Sequence, residues 1–274
     1  MCANMNFYYG KPNDHSWRSI AEQFAHSGSF HTEKTSSLPL LQFWRDEVNV
    51  ESLIKACPDS IKAILNSNPR LCFEYPVPAQ NGKGKSSMTD LMILGDKGVV
   101  AVEAKYTECR KPYSPKISTW LKTNGKIDKN KQDVLEGWLE YIKKFGALTD
   151  EKIIAQDKVV QKQIPYQLLH RIASACTAAK PGGEAYVLYH LFWDSTTHEK
   201  MRKFADSLFR QFKELDLQNG KTSLIVVSTE VSSLPDATRD KGKLRGIVRE
   251  MMDSNHLPYS FGKTERVYPS QNAS

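Results

Sequence analysis

The sequence has no uninterrupted run of about 18 apolar residues, which excludes a transmembrane helix. Cysteine is scarce: five in 274 residues, at positions 2, 57, 72, 109 and 176, an odd number with no Cys-x-x-Cys pair. That excludes a disulfide frame and implies reduced thiols in the cytoplasm. The seven histidines lack the HxxxH or HExxH spacing of a zinc site. There is no Gly-x-Ser-x-Gly elbow of a serine hydrolase, no internal repeat and no low-complexity tract. Met1 to Lys11 is polar and aromatic, without the basic-then-apolar layout of a signal peptide. Gly82-Lys83-Gly84-Lys85-Ser86-Ser87 glances at a phosphate-binding loop, yet Ala79 stands where the pattern needs glycine, and a strand follows where a helix should.

What is present is ordinary globular material, 40% hydrophobic and 25% charged, with a formal net charge of +7. Clustered, that excess favours an anionic partner. The opening is helical: Asp14 can cap a helix whose Trp17, Ile20, Ala21 and Phe24 follow the i, i+3, i+4, i+7 spacing. More helix is expected over 38–65, broken at Pro58. The period then changes to three short strands, 71–77, 86–94 and 98–106, the last two joined by the tight turn Gly95-Asp96-Lys97-Gly98. An insert spans 107–160; its first part carries seven Lys or Arg between Arg110 and Lys131 against one acid, Asp128, with Tyr113 and Trp120 interleaved. Its second part has Val134, Leu135, Trp138, Leu139, Ile142 and Phe145 on one helical face. A helix from Pro165, a strand over 184–193, a helix over 196–215 and a strand over 222–229 follow, and the tail after Asn255 reads as loosely structured. A mixed α/β sheet flanked by helices buries these runs. The expected divisions are a helical extension 1–45, a core 46–230 and a basic extension 231–274.

Chemistry concentrates on the second and third strands. Asp90 lies in Met88-Thr89-Asp90-Leu91, and Glu103 and Lys105, two apart and so on one face, end Val99-Val100-Ala101-Val102-Glu103-Ala104-Lys105. Two acids and a lysine meeting on an apolar sheet cost several kcal/mol each, as an order of magnitude, unless paired or bound to metal. A hard divalent cation resolves the repulsion between carboxylates, and such a set suits hydrolysis of a phosphodiester. An isolated Glu-x-Lys arises about once by chance in a chain this long, so the strength lies in the strand–turn–strand context. The bland alternative is a surface ion pair at strand ends.

Asp90, Glu103-Ala104-Lys105 and the αβββαβ order around them, over roughly residues 46–193, resemble the PD-(D/E)XK nuclease superfamily, the restriction-endonuclease-like fold. Thr89 stands where the name-giving proline would be. The resemblance implies that Asp90 and Glu103 bind Mg²⁺, with Mn²⁺ able to substitute, and that Lys105 is the catalytic lysine. It further implies a third acid, Glu74, with Glu51 as competitor. Gln167 matches the glutamine of the superfamily's Gln-xxx-Tyr pair, with Arg171 where the tyrosine would be. Gln167, Arg171 and Ser174 are expected on one polar helix face, Arg171 contacting a phosphate. Lys111, Lys116, Lys122 and Lys126 are the candidate DNA contacts, Tyr113 or Trp120 stacking on unpaired bases, and 82–87 forms a flexible basic loop touching DNA. His170 reads as a packed or surface histidine. The expected function is a cytoplasmic DNA endonuclease of restriction or host defence, with no membrane partner, as a homodimer or within a larger defence complex. A non-cleaving nucleic-acid-binding module and an RNA endonuclease are the alternatives.

Overall fold

The computed structural model describes residues 6–11, 17–26, 36–110, 115–148, 164–217, 220, 222–233 and 259–268. The elements run β1 (Asn6–Tyr9), α1 (Trp17–His26), α2 (Ser37–Arg45), α3 (Glu47–Ala56), α4 (Asp59–Leu65), β2 (Arg70–Val77), β3 (Ser87–Leu94) and β4 (Gly98–Lys105). A 3₁₀ turn (Thr107–Arg110) leads to α5 (Ile117–Trp120), the small hairpin of β5 (Lys122–Thr123) and β6 (Lys126–Ile127), and α6 (Lys129–Lys144). The chain continues with α7 (Tyr166–Ala178), β7 (Glu184–Trp193), α8 (His198–Leu215), β8 (Thr222–Ser233) and β9 (Tyr259–Tyr268).

Local chemistry sets these boundaries. The Asp46 side chain caps α3 by accepting from Val48 N at 2.8 Å, and Asp128 caps α6 by accepting from Lys131 N at 3.2 Å. Pro58 is the N-cap of α4 and Pro165 that of α7, both in extended backbone that a helix interior cannot hold.

Seven strands form one mixed sheet in the order β1-β2-β3-β4-β7-β8-β9. β2, β3 and β4 are an antiparallel meander; β4, β7 and β8 run parallel, with α7 in the first crossover and α8 in the second. The strand period of two sorts side chains between two apolar layers. Leu71, Leu91, Ile93, Val100, Val102 and Leu188 pack with α1 to α4. Cys72, Met92, Val99, Ala101, Val187 and Leu191 pack with α6, α7 and α8. Cys57, Cys72, Cys109 and Cys176 are buried free thiols, and among the described residues no helix is long and apolar enough to cross a membrane.

Two edges differ from the sequence reading. The tail is not uniformly loose, because β9 pairs antiparallel with β8 as an edge strand. The opening is not wholly helical, because β1 pairs parallel with β2. Both strands therefore join the sheet of the central region, across the divisions expected at 45 and 231. Ile20, Ala21 and Phe24 do face the core from α1, whereas Asp14 and the side chain of Trp17 lie outside the described residues.

Gly98 sits tightly against β7 and α4: a Cβ there would stand 2.7 Å from Glu184 O and 3.1 Å from Ile64 Cδ1. Gly98→Ala is expected to lower stability by about 1–3 kcal/mol, because the main-chain oxygen cannot yield without parting the strands. Urea unfolding monitored by circular dichroism checks this; an unchanged midpoint contradicts it.

Candidate active site

The β3–β4 ladder ends at Leu91↔Val102, and one further step in the same register sets Asp90 opposite Glu103. There the strands part, and Asp90 Oδ2 accepts from Ala104 N at 2.8 Å, a side chain taking the place of a ladder partner. On the other side, the pairs Phe73↔Leu91 and Tyr75↔Thr89 set Glu74 opposite Asp90. Glu74 has φ 48°, the left-handed region that a non-glycine strand residue enters only under constraint. Strand alternation switches there: Phe73 faces the α1–α4 layer, while Tyr75 and Val77 both face the other. Since Glu103 is in register with Tyr189, the residues Glu74, Asp90, Glu103 and Tyr189 form one row across four strands.

Helix α7 lies over this row. Lys105 Nζ and Gln167 Nε2 both donate to Glu103 Oε1, and Arg171 pairs with Glu103 Oε2. Arg171 Nη1 also donates to Met88 O at 2.9 Å. Glu103, Lys105 and Arg171 are only 1%, 1% and 2% exposed, whereas Glu74, Asp90 and Gln167 are partly exposed, so the row opens toward them. The structure thus brings together Glu74, Asp90, Glu103, Lys105 and Gln167. It does not bring in Glu51: α3 packs its Val50 and Leu53 on the opposite face of the sheet.

Arg171 belongs to this buried cluster and not to a solvated helix face. Ser174 is likewise buried, its Oγ donating to His170 O at 2.8 Å. A phosphate contact by Arg171 would have to compete with Glu103 for the guanidinium. Lys116, Lys122 and Lys126 are exposed; Lys111 and Tyr113 lie outside the described residues.

Three carboxylates in the row face two cations, Lys105 and Arg171, and the electrostatics reflect the imbalance. Burial first, then Asp90, push Glu74 up to about 8. Burial and then Glu103 push Asp90 up to about 6, against the pull of Lys105, Arg171 and the Ala104 N–H. Burial alone would raise Glu103 too, but Arg171 and Lys105 overcome it and hold that carboxyl below its usual range. Burial, followed by the negative charge of Glu103, raises the Tyr189 hydroxyl.

Sequence reasoning missed the aromatic support beside the row. His170 Nδ1 meets Ser87 Oγ at 2.7 Å, and its ring stacks on Tyr166 at 5.1 Å and 1°. Tyr166 stacks in turn on Trp120 at 3.7 Å and 9°, and Trp138 Nε1 donates to its hydroxyl at 3.0 Å. One face of Trp120 is therefore already covered. Burial, then Arg171 and Lys105, keep His170 neutral by lowering its pKa well below the usual value. The i, i+4 spacing of Tyr166 and His170 was the available signal; Tyr189 required the strand register.

Among the described residues, no three His, Cys, Asp or Glu side chains converge closely enough to hold a metal ion as they stand. The donor set nonetheless suits a hard divalent cation, because Glu74, Asp90 and Glu103 offer carboxylate oxygens from neighbouring strands and two of them lack full charge compensation. Gathering them would require Glu103 to loosen from Lys105, Gln167 or Arg171.

A family model described as a domain of unknown function, DUF6946, matches residues 14–234. The chain belongs to the DUF6946 family. No curated protein and no solved structure matches it. In this DUF6946 chain the matched span contains every element from α1 to β8, and with them the whole carboxylate row.

A carboxyl whose folded pKa is raised binds its proton more tightly folded than unfolded. Its contribution is therefore fully present below about pH 4.5 and is lost as pH rises through the folded value of about 8 for Glu74. In metal-free buffer, Glu74→Gln should flatten the fall in Tm between about pH 5 and pH 8. Parallel Tm-against-pH curves for the two proteins would contradict this.

Proposed function

We propose that this chain is a Mg²⁺-dependent nuclease of restriction-endonuclease-like fold that hydrolyses phosphodiester bonds of DNA. The carrying observation is the register that sets Glu74, Asp90 and Glu103 in one row, with Lys105 on the same face and Gln167 above it. The antiparallel β2–β3–β4 meander followed by α7 and a parallel β7 supports the same reading. Cutting of foreign DNA in the cytoplasm, as a homodimer or within a defence complex, rests on the family resemblance alone.

Glu74, Asp90 and Glu103 would hold the ion. When bound, Mg²⁺ supplies a Lewis acid and lowers the pKa of a coordinated water. Asp90 is fixed by the Ala104 N–H, so its free oxygen has a set direction. Gln167 and Arg171 orient Glu103 from the helix side. Lys105 is a compact ammonium on a rigid strand, suited to stabilise negative charge on a phosphoryl oxygen once Glu103 turns outward.

One observation favours the non-cleaving module: both Glu103 oxygens are engaged by protein cations, as in a site that has settled without a metal. Incubation with supercoiled, linear and single-stranded DNA, and with RNA, in EDTA, Mg²⁺ or Mn²⁺ separates the readings. The nuclease reading expects divalent-dependent nicking or cutting of DNA. Asp90→Asn, which keeps an acceptor for Ala104 N, should remove it, and Lys105→Ala should slow it by about 10²–10³-fold. Circular dichroism should find both variants folded. No cleavage of any substrate by wild-type protein sinks the proposal; RNA-only cleavage transfers it to RNA.

A further inference from the structure

We propose that Asn130 clamps the β2–β3 connection onto α6 and thereby assembles Lys83, Lys85, Lys122 and Lys126 into one preformed surface for the phosphate backbone of duplex DNA. The clamp is a two-point contact: Asn130 Oδ1 accepts from Lys83 N at 2.5 Å and its Nδ2 donates to Lys83 O at 2.8 Å. A side-chain amide here satisfies both main-chain groups of one loop residue, as a neighbouring strand would. Gly82 makes the approach feasible. Its φ is +82°, and a Cβ would stand 2.5 Å from Val134 Cγ2, so any larger residue would lift the loop off the helix. The β5–β6 hairpin is tied to the same helix: Lys131 Nζ donates to Lys122 O at 3.0 Å and Thr123 Oγ1 donates to Asp128 Oδ2 at 2.8 Å.

Two basic segments about forty residues apart in sequence are thus drawn together around α6. Of the acids at the start of α6, Asp133 pairs with Lys129 at 2.8 Å, Asp128 caps the helix, and Glu136 accepts from Gln132 at 3.4 Å. Lys83, Lys85, Lys122 and Lys126 are exposed, and none of the ion pairs among the described residues involves them. Fixing four ammonium groups together without a counter-charge is repulsive, and a polyanion reverses that sign by exchanging condensed counterions for the lysines. The clamped loop joins β2, which carries Glu74, to β3, which carries Asp90, so a backbone bound there lies next in the chain to the carboxylate row. The choice of nucleic acid as the polyanion rests on the proposed nuclease function; the clamp and the lysine set do not.

Fluorescence anisotropy of a labelled duplex, its single strand and polyglutamate, in EDTA and across a salt series, tests this. Lys83→Ala/Lys85→Ala should weaken duplex binding and reduce the slope of log K against log salt by about 1.8, at about 0.9 per phosphate contact. Asn130→Ala changes no charge, yet should weaken binding several-fold and speed amide exchange over residues 81–85. Lys55→Ala/Lys200→Ala, which removes two lysines elsewhere, should leave the slope unchanged. Failure of the wild type to bind duplex, an unaltered slope in Lys83→Ala/Lys85→Ala, equal affinity for polyglutamate, or Asn130→Ala behaving as wild type overturns the proposal. Salt-dependent duplex binding without divalent-dependent cleavage supports the surface while sinking the nuclease.

Discussion

The constraint on which the rest depends is the burial of Glu103 between Lys105 of its own strand and Arg171 of α7. Three charged side chains are 2% exposed or less, and any one left unpaired at that depth would cost several kcal/mol, as an order of magnitude. The apolar residues Leu168, Leu169 and Ile172 bring α7 onto the sheet. The same rotation of the helix lets Arg171 reach Glu103 and Met88 O while Gln167 donates to Glu103. A residue of one strand is therefore held twice by the helix that roofs the site.

This arrangement leaves a charge problem unsolved. Glu103 takes both available cations, and Glu74 and Asp90 are left to share what remains. Burial and mutual repulsion then raise their pKa values, and the remaining pull of Arg171 on both and of Lys105 on Asp90 only partly offsets this. The strained backbone at Glu74 points the same way. The register puts this carboxyl opposite Asp90, and the φ of 48° at Glu74 marks where alternation switches, turning Tyr75 and Val77 to the α6–α8 layer. Strain and like charge are thus held at one place by an otherwise well-packed sheet, which is the feature the proposed cation site draws on.

Much of this was legible in the residues. The short apolar runs Leu71–Phe73 and Val99–Val102 marked the strands, and the tight Gly95–Gly98 turn put Asp90 on the strand adjoining Glu103. β9 was not legible, because an edge strand such as Tyr259–Tyr268 carries Lys263, Glu265 and Arg266 and imitates a polar tail. β1 is four residues long and too short for a period to emerge. The burial of Arg171 was not legible for another reason. Helical spacing places it opposite the apolar stripe, but spacing does not tell whether that side meets water or, as here, a buried carboxylate on the sheet beneath.

The aromatic column explains how a basic insert can sit close to the row without contributing to it. Trp120, Tyr166 and His170 stack in sequence, and His170 ends on Ser87, the first residue of β3 and three before Asp90. The column spans the insert, α7 and the meander, so movement of α5 is resisted by ring contacts that also hold the start of β3. Asn130 supplies a second tie, from α6 to the connection that precedes the same strand. β3 is thus anchored on the side of the lysines by both ties, and on the side of β4 by its ladder and, beyond the ladder, by Asp90 on the Ala104 N–H. A strand braced in this way can keep Asp90 in place while Glu103 exchanges its partners. Under the proposed metal-dependent reading, the carboxylate that would move is the one held by side chains, and the one that would stay is held by the main chain.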